Sequence, residues 1–204
     1  MDAPGRHAIP KDVPAAEARE DVRPVLIDVL GPVAAASAQP GKRVFLGNLA
    51  GAEDAAALTS AGITETLNLG LNLCPGPLAL GDGTQVRRYQ IGLIDGPGND
   101  PHLLAAAVVT VRGLMGTYGP GKPHYPPHRP GHLLVHCRGG RSRSVTVLAV
   151  WLTLCHPQAF PDLDAALAHL RRLRGLGPEH PLPPMLDLAR EVIARGLAGR
   201  AGGA

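Results

Sequence analysis

The chain has 204 residues, with 20 Lys and Arg against 17 Asp and Glu, a net charge of +3 with histidine neutral. The length fits one domain with a sizeable core, and 45% apolar residues is too many for a wholly disordered protein. The small basic excess does not argue for nucleic acid, and three cysteines (Cys74, Cys137 and Cys155) cannot build a disulfide framework.

Residues 1–40 read as an N-terminal arm, partly disordered, rich in Pro, Ala and charge. Its one apolar patch, Val25 to Leu30, is either a short strand or an anchoring segment. The first 20 residues lack the apolar run of a secretory signal. The longest apolar stretch, Val145 to Leu154, is interrupted by Thr146 and Thr153 and is too short to span a bilayer. A cytoplasmic protein without stable membrane insertion is expected.

From Lys42 the pattern alternates strands and helices. Arg43 to Leu46 predicts a strand, Ala52 to Ser60 a helix stopped by Gly62, and Ile63 to Leu71 a second strand. A Pro/Gly loop from Cys74 to Gly83 precedes a strand over Val86 to Ile94. Asp100-Pro101 reads as an N-cap with Pro at the first helical position, and Leu104, Val108, Val111 and Met115 mark one stripe of the helix it opens. Gly119 to Gly131, with five Pro, is a loop. His132 to His136 is the short apolar run of a buried parallel strand. Helices are predicted over about 143–155, 162–174 and 183–195. A catalytic domain over 41–197 and a flexible tail over 198–204 complete the expected division. The fold class is α/β, a single domain whose mainly parallel central sheet is flanked by helices.

One segment carries chemistry: His136-Cys137-Arg138-Gly139-Gly140-Arg141-Ser142-Arg143-Ser144, a loop between a buried strand and a helix. A thiol there faces the positive end of the helix dipole and unpaired backbone N–H groups, which favour the thiolate. Gly139 and Gly140 let successive N–H groups converge on one centre, the arrangement that binds phosphate-like dianions. Arg143 adds a bidentate fork. A phosphate held by residues 138–143 would present its phosphorus to Cys137.

This segment resembles the C-x5-R signature of the cysteine-dependent protein tyrosine phosphatases, and the longer string His-Cys-x-x-Gly-x-Ser-Arg-Ser is similar to their dual-specificity branch. Val44 to Asn48, followed by a helix and Gly62-Ile63-Thr64, resembles the family's opening elements, so the likeness covers about residues 42–196. The resemblance implies Cys137 as nucleophile, Arg143 as phosphate clamp and Ser144 as a hydrogen-bond donor to the departing thiolate. It also implies a general acid on a mobile loop after a strand. Asp95, 42 residues ahead of Cys137 between Ile94 and Gly96, fits that role, with Gly96 and Gly98 as hinges. Asp100 is the rival, better placed for capping. His136 is expected to orient the loop by hydrogen bonding.

No metal or cofactor is expected, because Arg143 and the loop N–H groups supply the charge stabilisation. His124, His128 and His132 lie in or beside a Pro-rich loop without Cys or carboxylate partners, and read as a solvated insert. Cys155 reads as a packed cysteine. Cys74 reads as an incidental loop cysteine, with a resolving thiol for Cys137 as the alternative. Arg171, Arg172 and Arg174 read as the wet face of a helix. Arg138 and Arg141 are expected to enrich the rim in positive charge, which resembles the lipid-directed branch of the family. The implied substrate is a phosphorylated protein, with a phospholipid or inositol phosphate as the alternative. A phosphate-binding pseudophosphatase is the reading from another class.

Overall fold

The computed structural model describes residues 13–31 and 41–199. The expected arm at 1–40 and tail at 198–204 otherwise lie outside the described residues. Five strands form one sheet: β1 (Leu26–Asp28), β2 (Val44–Gly47), β3 (Ile63–Gly70), β4 (Arg87–Leu93) and β5 (His132–His136). Their spatial order is β1-β2-β5-β3-β4, with β1 antiparallel to β2 and every other pair parallel. The apolar patch near residue 26 is therefore an edge strand. β5 lies at the centre, and its buried run reflects helices covering both faces.

The larger layer contains α4 (Pro101–Gly116), α5 (Arg143–Cys155), α6 (Leu163–Arg174) and α7 (Pro183–Ala194). The central helix α5 is buried at every position from Arg143 to Leu152, which explains its lack of an amphipathic pattern. On the opposite face, α2 (Leu49–Glu53) and α3 (Ala55–Ala61) join Leu78, Leu80 and Val86 of the following loop over Phe45, Ile63 and Leu134. A further helix, α1 (Ala15–Asp21), precedes β1.

The single helix expected over 52–60 is two short ones. Asp54 breaks it by taking an extended conformation (φ −96°, ψ 99°) and accepting the Ala57 N–H at 2.9 Å. A short polar side chain that bonds its own backbone favours a cap over a helix interior. Asp100 caps α4 by accepting the His102 N–H at 2.7 Å.

The Pro-rich loop before β5 is anchored rather than purely solvated. The His128 imidazole lies 3.2 Å from the Thr64 carbonyl oxygen and stacks on Tyr118, while the Gln85 N–H donates to Pro127 O at 2.7 Å. His132 accepts the Arg43 N–H and stacks on Phe45. At the C-terminal end, Ala198 is buried against the main core.

Candidate active site

The parallel strands β2, β3, β4 and β5 all end on one side of the molecule, and the loops that leave them meet there. This is the usual place for ligands in an open α/β sheet. The loop from β5 to α5 carries Cys137 to Ser142. Gly140 turns it at φ 67°, and a Cβ there would lie 2.6 Å from the Gly47 carbonyl oxygen, so only glycine fits. The Leu49 N–H donates to Arg138 O at 3.0 Å, and the Leu182 N–H donates to Ser142 Oγ at 3.3 Å, tying the loop to the helices on either side.

Cys137 is buried at the floor of a cleft of about 710 Å³, walled by Leu71, Ile94, Asp95, Arg143 and Leu182. Its Sγ lies 3.3 Å from Ser144 Oγ. Burial pushes the thiol pKa up, but the Arg143 guanidinium and hydrogen bonds from Ser144 outweigh it, so the pKa falls below the ordinary value. Asp95 is the opposing neighbour.

Arg143 is a buried guanidinium with unfilled donors. Its Nη1 reaches Leu93 O at 3.4 Å and its Nη2 lies 3.5 Å from Asp95 Oδ2, while Nε has no hydrogen-bond partner among the described residues. Such a group is costly to leave unpaired and is poised to donate to an oxyanion. Asp95 follows Ile94 just beyond β4, and its side chain is 38% exposed. Asn99, which sequence reasoning passed over, closes this turn. Its amide accepts the Ile94 N–H at 2.8 Å and donates to the carbonyls of Ile94 and Gly96 at 2.9 and 3.0 Å.

His136 is fully buried on β5, with Nδ1 3.4 Å from the Cys137 carbonyl oxygen. Burial lowers its pKa to about 3, so the ring is neutral and donates to that carbonyl without acting as a base near neutrality. Cys74 is exposed on the loop after β3. Cys155 is half-buried in α5, and burial raises its thiol pKa.

Two arginines depart from expectation. Arg141 does not add positive charge to the rim, because α1 neutralises it: Nε, Nη1 and Nη2 lie 2.9, 2.9 and 2.7 Å from carboxylate oxygens of Glu17, Glu20 and Asp21. Arg174 is not on a wet face. It is buried, donating to Glu20 at 2.7 Å and to Gly139 O at 3.1 Å. The hydrogen bond from Arg174 lowers the Glu20 pKa despite partial burial, whereas burial raises that of Asp21 against the pull of Arg141. Arg138 is half-buried where the cleft meets a second hollow lined by Asp21, Glu53 and Asp54.

No family model and no curated protein sequence matches the chain. Solved structures do match. Human DUSP28 aligns at 25% identity and TM-score 0.54, covering 83% of this chain and 93% of that one. The Yvh1 phosphatase domain from Chaetomium thermophilum aligns at 20% identity and TM-score 0.57, covering 87% and 100%. DUSP15 aligns at 21% identity and TM-score 0.50, covering 82% and 96%. The architecture is thus the one these phosphatases share, an α/β sheet in which the loop from Cys137 to Ser142 joins a central strand to a buried helix. In fold, the chain is similar to these dual-specificity phosphatases and phosphatase domains.

Proposed function

We propose that the chain hydrolyses phosphomonoesters through a cysteinyl-phosphate, acting on phosphotyrosine, and on phosphoserine or phosphothreonine, in proteins. The observation that carries this reading is the buried Cys137 thiol, drawn toward its ionised form beside an incompletely paired Arg143 at the floor of an open cleft. In the first step the Cys137 sulfur forms a bond to phosphorus as the bond to the leaving oxygen breaks, and Asp95 gives that oxygen its proton. In the second step a water deprotonated by Asp95 attacks phosphorus. The S–P bond breaks, inorganic phosphate leaves, and Ser144 donates a hydrogen bond to the returning thiolate. Arg143 and the loop N–H groups hold the equatorial oxygens throughout.

Two substitutions test the reading. Cys137→Ser should abolish turnover of a small aryl phosphate, and Asp95→Asn should lower it by about 10²–10⁴-fold, an effect of general-acid size. Wild-type turnover by Cys137→Ser would refute the mechanism. Phosphate binding with no turnover by the unaltered chain would leave the loop as a phosphate-recognition site alone.

A further inference from the structure

The proposed anion loop carries three arginines, and one of them, Arg141, lines the cleft with its charge already paired. Glu17, Glu20 and Asp21 lie three and four residues apart, so α1 presents them on one face. Together they occupy all three nitrogens of Arg141. The Arg141 guanidinium is stacked against the loop itself: a Cβ added to Gly139 would lie 2.5 Å from its Cζ. Arg174 fastens the same assembly from below, bonding both Glu20 and the Gly139 carbonyl. With an ion pair at each of its three nitrogens, this guanidinium has its charge committed and offers a second phosphate a much weaker hold.

The helix also changes the field at the entrance. Glu17 and Asp21 line the cleft, and past Arg138 the second hollow, about 520 Å³, is bordered by Asp21, Glu53 and Asp54. A ligand extending from the loop in that direction meets carboxylates.

Resting on the phosphatase reading of the cleft, we propose that helix α1 is a charge filter on substrate choice. By holding Arg141 it favours singly phosphorylated ligands such as phosphopeptides and excludes ligands with several phosphates, such as inositol polyphosphates. Glu17, Glu20 and Asp21 are specificity-determining residues, and Arg141 is the group they switch off.

The test measures binding in the full chain carrying Cys137→Ser, so that it answers whether or not the unaltered chain turns substrate over. Dissociation constants for a singly phosphorylated tyrosine peptide and for inositol hexakisphosphate are compared at fixed ionic strength. Adding Glu17→Gln, Glu20→Gln and Asp21→Asn should shift the preference toward the polyphosphate by about tenfold or more, the scale of one charge-assisted bidentate contact. Arg141→Met should remove that gain in the triply substituted chain and change the preference by less than about twofold without it. A preference unmoved by the triple substitution would overturn the proposal. So would a gain that survives Arg141→Met, since it would come from the general field. Should the buried Asp21→Asn prevent folding, Glu17→Gln with Glu20→Gln, at partly exposed positions, should still move the preference the same way, and no movement would overturn it.

Discussion

Both ends of the sheet contain a buried cation beside a carboxylate, and they differ in how completely the charges are used. At the amino end of β3, Lys42 pairs with Glu65, and both side chains are under 5% exposed. Lys42 also donates to Leu114 O at 2.6 Å, so the pair is sealed. At the carboxyl end, Arg143 is equally buried, but Asp95 opens to the cleft at 3.5 Å and one guanidinium nitrogen stays unfilled. Desolvating a cation is costly at either end. Among the described residues, that cost is less fully compensated at the carboxyl end, where an oxyanion would complete the pairing. The contrast marks the carboxyl end as the candidate site more sharply than the count of charges at either end.

The comparison can be broken from the open end first. Arg143→Met should lower turnover of an aryl phosphate by about 10²–10⁴-fold, in line with loss of a main oxyanion stabiliser. It should leave the melting temperature unchanged or raised, because an incompletely paired buried charge is removed. At the sealed end the outcome should invert. Lys42→Met strands Glu65 and should cost about 3–5 kcal/mol of stability, read from chemical denaturation, with turnover unchanged. Lys42→Met combined with Glu65→Leu should recover most of that loss.

An effect that builds only gradually with pH sharpens the picture between the two ends. His136 holds a pKa of about 3 in the folded chain against an ordinary 6.5. The unfolded chain therefore binds the extra proton first, and stability should fall by about 1.4 kcal/mol per pH unit as pH drops below about 6.5. The loss should level off near the folded value. His136→Gln should flatten that slope, which a series of melting curves from pH 7 to pH 4 would show.

The segment from His136 to Ser144 was legible in the sequence because its parts are contiguous: strand, glycines, arginine and helix follow within a dozen residues. The mainly parallel sheet also followed from the alternation of strands and helices, and Asp100 reads as a cap because its side chain acts on its own neighbours. Arg141 and Arg174 misled for the opposite reason. Their carboxylate partners on α1 stand more than a hundred residues earlier in the chain, and a charged helix has the same sequence whether water or a guanidinium satisfies it. The split at Asp54 was hidden because the surrounding alanines suit a continuous helix. Asn99 carried no signal, since an asparagine that closes the six-residue turn from Ile94 reads the same as one in any open loop.

The turn closed by Asn99 bears on timing. With its amide satisfying Ile94 on both polar groups and Gly96 on its carbonyl, Asn99 holds the backbone on either side of Asp95 when the chain folds. Less then remains to be frozen out at each encounter with a ligand, so on the mechanism proposed above Asp95 would meet each substrate already aligned.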